Sequence, residues 1–273
     1  MSLTVTERGL VHDLDERVYH SDPVEGGSLS STGAKEILRS PAHYRHYMDS
    51  SREPKPQFDF GSAVHTLVLG VGWDIEPLGF DSWRTKDAKE ARAEVEAQGK
   101  VALLRKDFDR AEAVAISVLE HPSAGKLFRK GDAEVSAFGQ HRSGVWLRGR
   151  FDWLVNGTLI DLKTVQSADP RRFNRTVWDY GYDVQAAHYM ETYRLATGER
   201  PKGFVHVLVE KEPPYAVSVV RLNPEFLELG ERRLERAIAA YKTACDTGQW
   251  PGYPQVIHTI EPLPYMTSQE DDE

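Results

Sequence analysis

Cysteine is almost absent from the 273-residue chain, which contains only Cys245. A single thiol excludes internal disulfides, iron–sulfur clusters held by thiolates and cysteine-rich zinc sites. No stretch approaches the ~18 consecutive apolar residues of a membrane-spanning helix. The N-terminus carries Glu7, Asp13, Asp15 and Glu16 and is too acidic for a signal or transit peptide. We therefore expect a cytoplasmic protein without a membrane partner.

Several common enzyme motifs are also missing. The chain has no Walker A sequence, no G-x-G-x-x-G, no H-E-x-x-H and no G-x-S-x-G, which disfavours P-loop NTPases, Rossmann enzymes, zincins and α/β-hydrolases. It also has no low-complexity or Gly/Ser-rich linker. With 40% hydrophobic residues, this composition predicts a single globular domain over residues 1–273.

Basic residues are few overall but concentrated in the middle of the chain. The formal net charge is −8, whereas residues 126–175 carry ten basic and five acidic side chains. This distribution is compatible with a polyanion site, although a chance arrangement of surface charge would give the same pattern. Residues 261–273 hold five acidic residues and no basic one, and are interpreted as a solvated acidic tail.

The first part of the chain, residues 28–125, is predicted to be helical. Ser30 or Ser31 can cap a helix that ends near residue 39, and the following proline allows a second helix over 42–48. Apolar residues with helical spacing from position 60 to 68 predict a third helix with one buried face, and His65 lies on it. Two further helices are predicted over 85–98 and 106–120.

The pattern changes to strands in residues 126–253. Strands are predicted over 134–138, 145–155 and 159–165, and Asn156-Gly157 between the last two is a strong hairpin signal. Two helices, two strands over 204–209 and 216–222, and a long helix from Pro224 follow. This order predicts an α/β fold in which a mixed central sheet is flanked by helices and carries a helical N-terminal subdomain.

Two aspartates on the hairpin suggest a metal site. Asp152 and Asp161 are placed on neighbouring strands near the turn, and Lys163 shares a strand face with Asp161. Unpaired carboxylates among apolar residues are costly unless a cation joins them, and Mg²⁺ prefers carboxylate oxygens. The alternative is a surface ion pair between Asp161 and Lys163, with Asp152 hydrogen-bonded locally.

Four ordered sequence elements resemble the PD-(D/E)XK nuclease superfamily, and within it the branch of RecE (exodeoxyribonuclease VIII) and the RecB nuclease domain. These elements are Gly61-Ser-Ala-Val-His65, Gly149-Arg-Phe-Asp152, Asp161-Leu-Lys163 and Gln185-Ala-Ala-His-Tyr189. The resemblance spans residues 28–253. It implies the restriction-endonuclease-like core of that superfamily, residues 126–253 being the catalytic α/β part.

The resemblance also implies a metal-ligand set. His65, Asp152, Asp161 and the backbone carbonyl of Leu162 would bind Mg²⁺, for which Mn²⁺ can substitute. Glu134 has two interpretations, as a ligand of a second metal ion or as a solvated strand residue.

Three further residues receive roles from the resemblance. Lys163 would orient or activate the attacking water and stabilise charge on the phosphate, and Gln185 and Tyr189 would position the nucleic-acid backbone. For Arg148 and Arg150, phosphate contact and pairing with a nearby acid both stay open.

The implied activity is Mg²⁺-dependent hydrolysis of phosphodiester bonds by a 5′→3′ DNA exonuclease that resects double-stranded DNA in phage-type recombination. The implied partners are double-stranded DNA with free ends, a single-strand annealing protein and further copies of the chain in a homo-oligomer. One alternative is a single-strand nuclease like RecB or those of CRISPR adaptation. The other is a non-catalytic DNA-binding module of the same fold.

Overall fold

The computed structural model describes residues 4–50 and 60–262, so most of the predicted acidic tail lies outside the described residues. The strands are β1 (Gly9–Val11), β2 (Leu29–Ser30), β3 (Ile75–Leu78), β4 (Val101–Leu104), β5 (Asp132–Gln140), β6 (Trp146–Val155), β7 (Thr158–Val165), β8 (Gly203–Glu210) and β9 (Val217–Val220). The helices are α1 (Glu16–His20), α2 (Ser31–Arg39), α3 (Pro41–Ser50), α4 (Phe60–Leu69), α5 (Lys86–Ala97), α6 (Arg105–Glu120), α7 (Ala124–Leu127), α8 (Pro170–Tyr180), α9 (Tyr182–Thr197) and α10 (Pro224–Thr247).

A seven-stranded mixed sheet forms the centre of the fold. Its order is β1-β5-β6-β7-β8-β9, and β2 pairs with β6 outside this path. The β1–β5, β5–β6, β6–β7 and β8–β9 pairs are antiparallel, whereas β7–β8 and β2–β6 are parallel. The predicted α/β class with a mixed central sheet flanked by helices is confirmed.

The β6–β7 hairpin forms as its turn sequence predicts. Asn156 and Gly157 both have positive φ values, 49° and 77°, as the two-residue turn between right-twisted strands requires. The two strands pair only from Trp153↔Ile160 to Val155↔Thr158. β7 instead pairs with β8 over its whole length, from Thr158↔Gly203 to Val165↔Glu210. The hairpin therefore opens away from its turn.

Helices cover both faces of the sheet at this opening. On one face Val64 of α4 and Val114 of α6 belong to the same buried cluster as Leu162 of β7. On the opposite face Ala186 of α9 packs with Leu159. Because burying apolar side chains is the main force that attaches a helix to a sheet, α4 and α9 are held on opposite sides of β7.

The N-terminal part contains short strands that the sequence analysis did not predict. β1 and β2 join the central sheet through β5 and β6, and β3 and β4 form a separate parallel pair. Runs of two to four residues are too short to show a period of two. The predicted helices over 30–39, 60–68, 85–98 and 106–120 are confirmed within a few residues. None of the helices within 4–50 and 60–262 combines the length and apolar character that crossing a bilayer requires.

Gly230 allows α10 to pack closely against α9, and this contact makes a testable prediction. A Cβ atom at Gly230 would lie 2.3 Å from the backbone oxygen of Asp183. In a helix Gly→Ala gains about 1 kcal/mol in propensity, but the clash with backbone requires the helices to separate, which typically costs about 1–3 kcal/mol. We expect Gly230→Ala to lower the free energy of unfolding, measured by urea denaturation. The neighbouring exposed change Glu231→Ala should stay within about 0.5 kcal/mol of the wild type, and equal stability of the two variants would contradict the close packing.

Candidate metal centre

The candidate site lies where β6 and β7 separate. Asp152 and Asp161 stand one position beyond the last paired residues of the hairpin. At this point the backbone N–H of Leu162 donates to Asp152 Oδ2 at 2.7 Å. A carboxylate thus satisfies a backbone donor of β7 near the end of the ladder, which an otherwise unpaired buried N–H requires. The separation of the strands turns both aspartates toward one site.

Three potential metal ligands from different elements converge here. One ligand atom each of His65 on α4, Glu134 on β5 and Asp152 on β6 lie within 4.8 Å of one another. Glu134 has a φ of 52° inside a strand, a conformation that costs energy for a residue other than glycine and that recurs at functional sites. Three separate elements therefore supply a compact set of one imidazole and two carboxylates.

The orientation of the His65 ring leaves one nitrogen available as a ligand. His65 Nε2 lies 2.8 Å from the backbone oxygen of Leu162, and because that oxygen can only accept, Nε2 carries the proton. The unprotonated Nδ1 then faces Asp152 Oδ2 at 3.8 Å. Burial, together with the nearby Lys163 charge, lowers the pKa of His65, which favours the neutral imidazole that a metal ion needs.

The pKa values of both carboxylates of this triplet are raised. Burial and the neighbouring Asp161 raise the pKa of Asp152 to about 7. Burial and Asp152 also raise the pKa of Glu134, although its ion pair with Arg150 opposes the shift. Carboxylate oxygens and a neutral imidazole are both common ligands of divalent cations in proteins. The residues present therefore fit a divalent cation.

Asp161 has a different environment from the triplet. Lys163 Nζ lies 2.8 Å from both carboxylate oxygens, Gln185 Nε2 donates to Oδ1 at 2.7 Å, and His206 Nδ1 lies 3.2 Å from Oδ2. Burial alone would raise the pKa of Asp161, but Lys163 and His206 hold it well below its usual range. The assignment of Asp161 as a metal ligand stays a prediction, and its observed contacts fix the position of Lys163.

The pKa of Lys163 determines the protonation state of its side chain. Burial acts to lower this pKa, whereas the charges of Asp161 and Asp152 act to raise it, and the net shift is upward. Lys163 is consequently an ammonium group at neutral pH. It can donate hydrogen bonds and stabilise negative charge, but it is unsuited to removing a proton from water.

The remaining predicted residues lie nearby in supporting positions. The Leu162 carbonyl is at the site, where it accepts from His65. Gln185 is buried, and its side-chain amide donates a hydrogen bond to Asp161. The Tyr189 ring packs edge-on against Phe151 at 5.3 Å, and a Cβ atom at Gly149 would lie 3.3 Å from it. The glycine of this motif therefore makes room for Tyr189 beside the strand that carries Asp152.

The two arginines of the same strand are paired with acids. Arg148 Nη1 lies 2.6 Å from Asp22 Oδ2 and also contacts Ser28, and Arg150 pairs with Glu134. Of the two interpretations open from the sequence, pairing with a nearby acid is the one observed. Arg150 thereby orients a member of the triplet.

The sequence analysis did not identify His206 and did not decide the role of Glu134. His206 is fully buried on β8, in register with Asp161. A single polar residue inside the apolar run 204–209 was the available signal, because buried polar groups need a specific partner. The sequence left two interpretations of Glu134 open, because its positive φ and its approach to His65 arise only in the folded chain.

A cavity of about 760 Å³ opens beside the triplet. Its wall includes the start of α4, Glu134, Arg150 and the N-terminal residues 13–17. Asp15 in this segment caps α1 by accepting from the backbone N–H of Arg17 at 2.9 Å. The site is thus accessible to a ligand from the side of the N-terminal segment.

Comparisons with known proteins agree with this fold. A protein from Eubacterium rectale that is provisionally named an exonuclease has a similar structure over 94% of this chain and 98% of its own, with 17% identity and a TM-score of 0.58. A phage-related exonuclease from Haemophilus somnus covers 81% of this chain and 96% of its own at 12% identity, with a TM-score of 0.36. The alkaline exonuclease LHK-Exo from Laribacter hongkongensis covers 67% and 89% at 11% identity, with a TM-score of 0.30. The first of these similarities supports the fold, and the other two are too weak to carry a conclusion.

The sequence itself matches one family model. No curated protein matches the chain significantly. The model of a PDDEXK-like domain of unknown function, DUF3799, matches residues 30–261. This range contains His65, Glu134, Asp152, Asp161 and Lys163. Because the match covers most of the sequence, the chain belongs to the PDDEXK-like DUF3799 family.

Proposed function

We propose that the protein is a metal-dependent nuclease that hydrolyses phosphodiester bonds of DNA. The observation that carries this proposal is the convergence of His65, Glu134 and Asp152 beside the Asp161–Lys163 pair, at the opening between β6 and β7. A cation-binding set next to a fixed ammonium group suits a substrate whose reacting centre is an anionic phosphate.

The roles of the chain's own groups follow from their contacts. When bound, Mg²⁺ or Mn²⁺ would supply Lewis-acid polarisation of the phosphate and a lower pKa for the attacking water. His65, Glu134 and Asp152 would hold the ion, and the Leu162 carbonyl and Asp161 are further candidates. Lys163 donates to the phosphate oxygens or orients the water. Gln185 and His206 keep Asp161, and through it Lys163, in place.

The finer assignment is a 5′→3′ exonuclease that resects double-stranded DNA. It derives from the motif resemblance to the RecE branch, and the similar Eubacterium rectale protein is provisionally named an exonuclease. In this proposal the substrate is double-stranded DNA with free ends, the partner is a single-strand annealing protein, and several copies of the chain assemble as a homo-oligomer in phage-type recombination.

End-labelled substrates test the function directly. The purified protein would be incubated with linear duplex, covalently closed circular duplex and single-stranded oligonucleotide, each with Mg²⁺, Mn²⁺ or EDTA. We expect cleavage of the linear duplex only with a divalent cation, early release of a 5′ label and intact circles. Cutting of circles would indicate an endonuclease, and preference for the oligonucleotide would indicate the single-strand alternative. Binding without cleavage of any substrate would indicate a non-catalytic module.

A further inference from the structure

Three aromatic residues lie at the junction of α8 and α9, and the half-buried one of them, Tyr182, lies beside Lys163. We call Trp178, Tyr180 and Tyr182 the aromatic surface. The Trp178 and Tyr180 side chains are 52% and 64% exposed. Large aromatic side chains contribute most of their binding energy when a flat apolar partner covers them. Two such rings in solvent next to a candidate active site therefore suggest a ligand.

The turn between the two helices aligns these rings with the catalytic region. Gly181 joins α8 to α9 with a φ of 63°, a left-handed conformation that glycine adopts without strain. Across this turn the rings of Tyr180 and Tyr182 stack, with centroids 5.8 Å apart and planes 22° apart. Lys163 Nζ lies 5.1 Å from the centre of the Tyr182 ring. The aromatic surface is therefore continuous with the proposed phosphate-binding lysine.

A second lysine, Lys35, approaches the Tyr182 ring without a carboxylate partner. Lys35 Nζ lies 5.9 Å from the centre of the Tyr182 ring, in a cleft of about 370 Å³ between α2 and the α8–α9 turn. The two carboxylates that line this cleft have other partners: Glu36 pairs with Arg39 at 2.7 Å, and Asp179 with Arg175 at 3.5 Å. Within residues 4–50 and 60–262, no acid lies within the 4.0 Å ion-pair distance of Lys35.

Arg233 completes the basic side of the surface. Its guanidinium stacks over the Trp178 ring at 4.5 Å and is held by both oxygens of Asp183 at 2.8 Å. This pair neutralises Arg233 in part and fixes the ring. Lys35 is consequently the group whose charge a ligand would balance, and the expected ligand combines flat apolar rings with an anion.

We propose that the aromatic surface binds unpaired nucleotides of the DNA strand that enters the active site, with bases stacked on Tyr180 and Trp178 and a phosphate on Lys35. Single-stranded nucleic acid is the ligand class that presents open base faces and a phosphate for each base, and stacking on aromatic side chains is the usual way to hold it. In a base-paired duplex the base faces stack on one another, so they are not available to stack on these rings. This inference rests on the proposed nuclease function and adds a site for separated nucleotides to it.

Binding of a fluorescent oligothymidylate to the full chain in EDTA tests the proposal without cleavage. Stacking contributes about 1–3 kcal/mol per base, so Tyr180→Ala is expected to weaken binding by roughly 5- to 150-fold. Tyr180→Phe keeps the ring and should stay within about 2-fold of the wild type. Lys35→Gln should weaken binding and reduce the salt dependence by about 0.7 in the log–log slope, the value for one phosphate on a single strand.

Tyr253→Ala is the matched control. Tyr253 is 67% exposed and contacts His43 on α3, so its loss should leave oligothymidylate binding unchanged. Blunt duplex with closed ends should bind Tyr180→Ala and the wild type equally.

The outcomes separate this inference from the proposed function. Wild-type affinity of Tyr180→Ala for oligothymidylate, or equal losses on closed duplex, would overturn the aromatic site while leaving the nuclease proposal intact if the wild type cleaves linear DNA. Cleavage of DNA by a wild type that does not bind oligothymidylate would assign the aromatic surface to another ligand and overturn the inference. A wild type that neither binds nor cleaves any DNA would overturn the proposed function as well.

Discussion

Replacing Lys163 by methionine is expected to lower the rate of phosphodiester hydrolysis by roughly 10²–10³-fold, the usual effect of removing one donor to developing negative charge. The physical reason is that Lys163, held at 2.8 Å by Asp161, is an ammonium group at the opening between β6 and β7. The rate would be measured on end-labelled linear duplex with saturating Mg²⁺. DNA affinity should change much less, because one of several phosphate contacts is lost.

The same substitution should also destabilise the fold, and a double variant separates the two effects. Lys163→Met leaves the Asp161 carboxylate buried with His206 and Gln185 as its remaining partners, and loss of one partner of a buried ion pair typically costs about 3–5 kcal/mol. The double variant Asp161→Asn/Lys163→Met has lost both charges. Its free energy of unfolding should therefore recover most of the loss, whereas its activity should not recover. More than a tenth of wild-type activity in folded Lys163→Met would contradict the assigned role.

Asp152→Asn is expected to have a comparably large effect on cation binding. Asp152 contributes an oxygen to the triplet with His65 and Glu134, and even loss of a group that only supports a ligand costs about 10–100-fold in metal affinity. We expect at least this reduction in Mn²⁺ affinity, measured by isothermal titration calorimetry without DNA. Glu134→Gln should give a loss of similar size, because it removes the second carboxylate charge.

Two further variants make this measurement specific. Asp132→Asn removes an exposed acid from the same strand as Glu134 that does not belong to the triplet. Its Mn²⁺ affinity should stay within about 2-fold of the wild type, since an exposed charge interacts only weakly through water. Asp161→Asn tests the ligand role that the sequence motif assigns to Asp161. Unchanged Mn²⁺ affinity in the Asp152→Asn variant would contradict the proposed metal site.

Local signals account for the parts of the molecule that the sequence predicted well. Asn156-Gly157 determines its hairpin because the turn needs two positive φ values. The predicted grouping of His65, Asp152, Asp161 and Lys163 came from the order of four motifs, and the structure brings all four side chains to one region.

Non-local geometry explains what the sequence did not predict. Glu134 reaches the site only because its backbone takes a positive φ on the strand next to Asp152. His206 is buried against Asp161 through the parallel pairing of β7 and β8, which no local pattern specifies. The hydrogen bond from the Gln185 amide to Asp161 was not predicted either, because this contact depends on where α9 packs; the predicted role of Gln185 in positioning the nucleic-acid backbone stays a prediction.

The early end of the β6–β7 ladder has a thermodynamic consequence for ligand binding. Asp152 accepts a hydrogen bond from the backbone N–H of Leu162, and His65 donates one to the carbonyl oxygen of the same residue. One peptide segment of β7 therefore orients two members of the triplet while the chain folds. The conformational entropy of these side chains is lost at folding, so that an incoming cation meets a preorganised set of donors.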